Sequence, residues 1–101
     1  MSEAAERIHL CAIIRARPGM EDKLKNELEL VVAKTQQEPG CLQFNIHQLK
    51  HDPTQFMLWE CFESHASLQD HIKTDYTQRY FATARAYMSQ PTEVIELQRF
   101  R

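Results

Sequence analysis

Only two glycines and four prolines interrupt this 101-residue chain, and they fall at Pro18-Gly19, Pro39-Gly40, Pro53 and Pro91. So few breakers exclude a low-complexity or linker-rich protein and leave long stretches free for regular structure. Cysteine is scarce and odd in number. Cys11, Cys41 and Cys61 lie too far apart for a CxxC metal or redox motif and do not make a disulfide framework, so they read as reduced thiols in or near strands. Long apolar runs are missing too. The longest uncharged stretch, Ile8 to Ile14, contains His9 and falls far short of the roughly 20 residues a membrane span requires. The opening Met1-Ser2-Glu3-Ala4-Ala5-Glu6 is acidic and lacks the apolar segment of a secretory signal, which makes the cytoplasm the expected address. No charge sign dominates: 12 Lys and Arg face 14 Asp and Glu, a net charge of −2. A protein built to neutralise phosphates would be basic, so neither nucleic acid nor an anionic membrane is an expected partner. A glycine-rich phosphate loop, a GxSxG elbow and a Cys–His nucleophile motif are all lacking, which argues against nucleotide cofactors and acyl-enzyme chemistry.

What is present is an ordinary globular composition, 43% apolar and 26% charged. That amounts to one domain over residues 1–101 with its core at about 8–97. A chain of this length buries roughly two thirds of its unfolded surface, which leaves little room for a deep enclosed site. A small domain that needs a pocket often takes walls from a second copy.

Hydrophobic period divides the chain into elements. From Ile8 to Arg17, Ile8, Leu10, Ala12, Ile14 and Ala16 alternate with His9, Cys11, Ile13, Arg15 and Arg17, as in a strand. From Met20 the period becomes helical, with Leu24, Leu28, Val31, Val32 and Thr35 on one face, and the helix is expected to run to the stop at Pro39-Gly40. Cys41 to Leu49 and Gln55 to Glu63 read as two strands joined by a hairpin loop, Lys50 to Thr54. Leu42, Phe44 and Ile46 share one face of the first, and Phe56, Leu58, Glu60 and Phe62 share one face of the second. Ser64 caps a short helix with Leu68, His71 and Ile72 on its apolar side. Asp75 starts a third helical stretch bearing Tyr80, Phe81, Ala84, Tyr87 and Met88, which Pro91 stops, and Thr92 to Arg101 reads as a fourth strand. The order βαββααβ predicts an α+β, ferredoxin-like fold: a four-stranded antiparallel sheet with helices on one face. The other face would then carry Cys11, Ile13, Met57, Trp59, Cys61, Ile95 and Leu97. Such a patch predicts a homodimer formed through the sheet.

Two residues stand out chemically. His71 lies on the apolar side of its helix and points to the sheet, either as a histidine satisfied at a helix–sheet seam or as a catalytic imidazole. Glu60 shares a strand face with Leu58 and Phe62, where desolvation raises a carboxyl pKa. It is either half of a structural ion pair or the electrostatic partner of a base at His71. Phe44, Leu58, Phe62, Tyr76, Tyr80 and Phe81 are either core or the walls of a pocket for a small aromatic ligand. His47 and His51 lack a third ligand at metal-binding spacing, and no metal is expected.

Three strings add a resemblance: Arg17-Pro18-Gly19, Glu38-Pro39-Gly40-Cys41-Leu42-Gln43-Phe44, and Phe56-Met57-Leu58-Trp59-Glu60-Cys61-Phe62-Glu63-Ser64 followed by Leu68-x-x-His71. Together they resemble the antibiotic biosynthesis monooxygenase superfamily over nearly the whole chain. The resemblance implies a dimeric α/β barrel with a ligand pocket between sheet and helices in each subunit. It implies cofactor-free monooxygenases of quinols or phenols, and a related isomerase of a phosphorylated signal molecule. By the same resemblance His71 and Glu60 take the family's catalytic positions and Phe62 the pocket aromatic, while Tyr76 replaces a second histidine found in many members. The expected function is a cofactor-independent monooxygenase of a small quinol-like or phenolic substrate. Its alternatives are a ligand-binding or stress-response dimer without turnover, and an isomerase whose basic pocket mouth would come from Lys73 and Arg79.

Overall fold

The computed structural model describes residues 6–101. Residues 1–5, most of the segment read above as lacking a secretory signal, lie outside the described residues. The chain runs β1 (Ile8–Arg15), α1 (Glu21–Thr35), β2 (Cys41–Leu49), β3 (Asp52–Phe62), α2 (His65–Lys73), α3 (Asp75–Ala84), a single 3-10 turn (Arg85–Tyr87) and β4 (Glu93–Leu97). The strands form one antiparallel sheet in the order β2-β3-β1-β4, the ferredoxin-like arrangement. Among the described residues no helix is long and apolar enough to cross a membrane.

One sheet face makes the core. Ala12, Ile14, Phe44, Phe56, Leu58 and Phe62 pack with Leu24, Leu28, Val31 and Val32 of α1 and with Tyr80 and Ala84 of α3. Each large apolar side chain buried there contributes roughly 1.5–3 kcal/mol. That outweighs the missing side-chain cap at Met20, worth about 1 kcal/mol. The start of α1 is instead fixed by the Glu21 carboxylate, which accepts from the Gly19 N–H at 2.8 Å, with Gly19 at φ +88° in a conformation other residues rarely adopt. Thr35 is the polar residue on the buried stripe, and its hydroxyl is satisfied by donating to the Val31 carbonyl at 2.7 Å.

Three local expectations need correction. The first helix ends at Thr35 rather than at Pro39-Gly40, because the residue before a proline is driven out of helical geometry and Gln36 to Glu38 unwind in turns. In β2 a register shift between Cys41 and Gln43 turns Leu42 outward, 47% exposed, and lets Cys41 pack against the core in its place. The hairpin between β2 and β3 turns at Lys50 and His51, so β3 begins at Asp52, and a second irregularity at Gln48/Leu49 accommodates Pro53 within the strand. Asp52 organises this corner. Its carboxylate accepts from the Thr54 N–H and hydroxyl and from the Gln55 amide, which holds its pKa below the usual range.

The opposite sheet face contributes nothing to the core cluster. It presents Trp59, 40% exposed, and Ile95, 39% exposed, around the buried thiols of Cys11 and Cys61.

Candidate functional site

Between the inner sheet face and helices α2 and α3 lies a cavity of about 740 Å³. That is more room than a 101-residue core was expected to leave. Its outer wall is the segment from Met88 to Thr92 together with Val94 of the edge strand β4.

The Pro39-Gly40 turn sets the position of α2. Ser64 caps that helix by accepting from the Ser67 N–H at 3.1 Å, and Ser67 presses against Gly40 so closely that a Cβ there would lie 2.5 Å from the serine Cβ. The Gly40 carbonyl also accepts from the Glu63 N–H at 2.8 Å. This close approach brings Glu38, just before the turn, to His71 in the last turn of α2. The Glu38 Oε2 atom lies 3.0 Å from His71 Nδ1, and the Tyr76 hydroxyl donates to the same oxygen. Burial and this hydrogen bond push the Tyr76 phenol up to about 12, so it remains a donor. A carboxylate that accepts from both partners puts the proton of a neutral imidazole on Nδ1 and leaves the lone pair on Nε2. The ring packs against Phe44 and Phe62, with centroids 5.3 and 5.0 Å away, which restricts its orientation.

Glu60 reaches the cavity from β3, between Phe44 of β2 and Leu10 of β1 in the sheet register. Burial pushes its pKa up to about 7. Among the described residues it has no ion-pair or hydrogen-bond partner. Tyr80 lines the same cavity with a buried hydroxyl that lacks a partner among the described residues; its phenol is raised first by burial and then by Glu27 and Glu60.

Of the eight residues proposed above, Phe44, Leu58, Glu60, His71, Tyr80 and Phe81 line the cavity. Phe62 and Tyr76 do not. Phe62 is fully buried behind the imidazole, and Tyr76 stands on the Glu38 side of the ring. The expected pairing of His71 with Glu60 is corrected as well, since the imidazole is bound to Glu38 while Glu60 shares only the cavity. Neither Lys73 nor Arg79 lines it, and Arg79 is instead tied to Glu27 at 2.8 Å. Cys41, near Glu38, is pushed up to about 11 by burial and by that carboxylate, so it is a thiol at neutral pH and a poor nucleophile.

The family profile described as antibiotic biosynthesis monooxygenase matches residues 7–83. The chain belongs to the antibiotic biosynthesis monooxygenase family. The crystal structure of PA3566 from Pseudomonas aeruginosa is similar over 99% of this chain and 100% of that one, with a TM-score of 0.91 and 30% identity. Rv0793 from Mycobacterium tuberculosis superposes with a TM-score of 0.88 at 21% identity, over 95% of this chain and 97% of its own. YcnE of Bacillus subtilis (strain 168) is 23% identical over 88 residues, which is 87% of this chain and 93% of that protein. The profile match takes in β1 to α3, and with them the cavity residues Glu60, His71 and Tyr80 and the orienting Glu38.

Glu38 is the residue the sequence reading missed. It lies in the Glu-Pro-Gly string that carried part of the family resemblance, but it is a turn residue 33 positions from His71, and no periodic pattern links the two.

Proposed function

We propose that this antibiotic biosynthesis monooxygenase family member is a cofactor-independent monooxygenase of a small quinol-like or phenolic substrate. The observation that carries the reading is an imidazole clamped by Glu38 and two aromatic rings, with Nε2 left for a ligand in an apolar cavity. His71 Nε2 takes the proton of a phenolic hydroxyl, and the Glu38 carboxylate stabilises the imidazolium that forms. The resulting phenolate is electron-rich enough to reduce dioxygen directly, against the apolar wall formed by Ala12, Ile14, Val31 and Leu58. For a hydroquinone the sum is quinol plus O₂ giving hydroxyquinone plus water: one oxygen atom enters the ring, the other leaves as water, and the ring supplies all four electrons. Glu60, which lines the same cavity, is a further polar group available to orient a substrate oxygen.

The test is oxygen uptake with a panel of hydroquinones, against controls for autoxidation and with metal-free protein. Replacing His71 with Ala is expected to reduce turnover by about 10²–10⁴-fold, the usual contribution of a positioned base. Undiminished turnover in that variant would remove His71 from the mechanism. Ligand binding with no oxygen uptake by the native protein would instead favour a binding protein without catalysis.

A further inference from the structure

We propose that the ligand of this cavity carries an oxyanion group, a carboxylate or a phosphate, held by Arg17 and Arg85. The proposal rests on the cavity being the ligand site, as read above, and adds the chemical class of what enters it. Both arginines line the cavity, and among the described residues neither has a carboxylate within ion-pair distance. Arg15 and Arg79, by contrast, are engaged by Glu93 and Glu27.

The two arginines are rooted side by side, Arg17 through hydrogen bonds to the turn that Arg85 opens. Arg17 follows β1, where its backbone N–H donates to the Tyr87 carbonyl at 2.8 Å and its Nε to the Met88 carbonyl at 2.9 Å. Anchored through Nε, it has two terminal nitrogens without a partner among the described residues. Arg85 opens that same turn, and the Met88 N–H reaches its carbonyl at 3.3 Å. Ser89 and Gln90 continue along the cavity wall and offer further side-chain donors.

Two planar forks with free N–H groups suit the paired oxygens of a carboxylate or phosphate. The chain as a whole has a net charge of −2 and does not attract anions in general, so the preference must be local. The cavity is also polarised. Glu60 pairs with Leu10 near the start of β1, whereas Arg17 lies just beyond the end of that strand, so the acid and this guanidinium enter the cavity from opposite ends. A ligand with an acidic group at one end and a hydroxyl at the other would therefore find cations at the Arg17 and Arg85 end and proton acceptors at the Glu60 and His71 end.

The experiment is titration calorimetry on the full chain with three probes that share one ring: hydroquinone, 2,5-dihydroxybenzoate and 4-hydroxyphenyl phosphate. At least one anionic probe is expected to bind about tenfold or more tightly than hydroquinone, the gain typical of hydrogen bonds to charged groups. Which of the two binds more tightly tells carboxylate from phosphate. In Arg85→Gln, whose side chain makes no hydrogen bond among the described residues, and in Arg17→Gln, that preference is expected to shrink towards onefold. Equal affinity for neutral and anionic probes would overturn the proposal, as would a preference that survives in both variants. Oxygen uptake on the same probes separates the two readings. An anion preference without uptake removes the monooxygenase reading and leaves this one, whereas uptake without preference does the reverse. If none of the probes binds, both fail.

Discussion

Glu60 sits where a carboxylate is least at home, between Leu10 and Phe44 on the buried face of the sheet, without a partner among the described residues. Its folded-state pKa of about 7, against an ordinary 4.5, has a definite sign in stability. Between those values the unfolded chain releases the proton and the folded protein keeps it, so the unfolded state binds fewer protons and stability falls as pH rises. The loss begins near pH 4.5 and levels off above about pH 7, and it amounts to about 3 kcal/mol by the usual conversion. Glu60→Gln, which mimics the protonated acid, is expected to match the native protein in urea unfolding at pH 4 and to be the more stable of the two at pH 8. A parallel pH dependence in both proteins would show that Glu60 is not the source. The alternation of β3 was enough to place this acid among apolar neighbours. Its lack of a partner depends on which side chains of other strands and helices come within reach, and that is a property of the packed structure alone.

At the scale of elements, a single turn decides the geometry of the site. The Glu38-Pro39-Gly40 corner follows the unwound end of α1, leads into β2, supplies the carboxylate that orients His71, and accepts the N-terminal turn of α2 in direct contact. Gly40→Ala is therefore expected to destabilise the fold by about 1–3 kcal/mol, the range of an overpacked site, measured by urea unfolding. Restoring space with a second change, Ser67→Gly, should recover part of that loss; no recovery would mean that the close contact is not the cause. The periods of 2 and 3.6 residues were legible in the sequence and located every strand and helix to within a few residues. The one-residue shift at Leu42 was not, because the run Cys41 to Leu49 alternates acceptably with or without it, and only pairing with β3 decides. The link from Glu38 to His71 was hidden for a related reason: a hydrogen bond between a turn and a helix leaves no local pattern.

On the scale of the whole molecule, the sheet has one face in the core and one in solvent. Trp59 and Ile95 remain exposed on the latter, beside Ile13, Met57 and Leu97. We propose that a second copy covers this face, since a two-fold arrangement lets one apolar patch bury itself against its own equivalent. Sedimentation velocity is expected to give twice the mass of the chain for the native protein and the mass of one chain for Trp59→Lys. A native monomer at micromolar concentration would refute the arrangement. The outer wall of the cavity has a different character from the rest of the sheet. β4 is only five residues long and pairs with β1 alone, and Val94, which lines the cavity, is 59% exposed. Edge strands with few buried contacts open locally at far lower free energy than central ones. A ligand resting on Val94 and Thr92 therefore binds against a compliant edge of the sheet. Part of its affinity is then spent on quieting that strand, and the tightness of the fit and the stiffness of the sheet edge become one thermodynamic quantity.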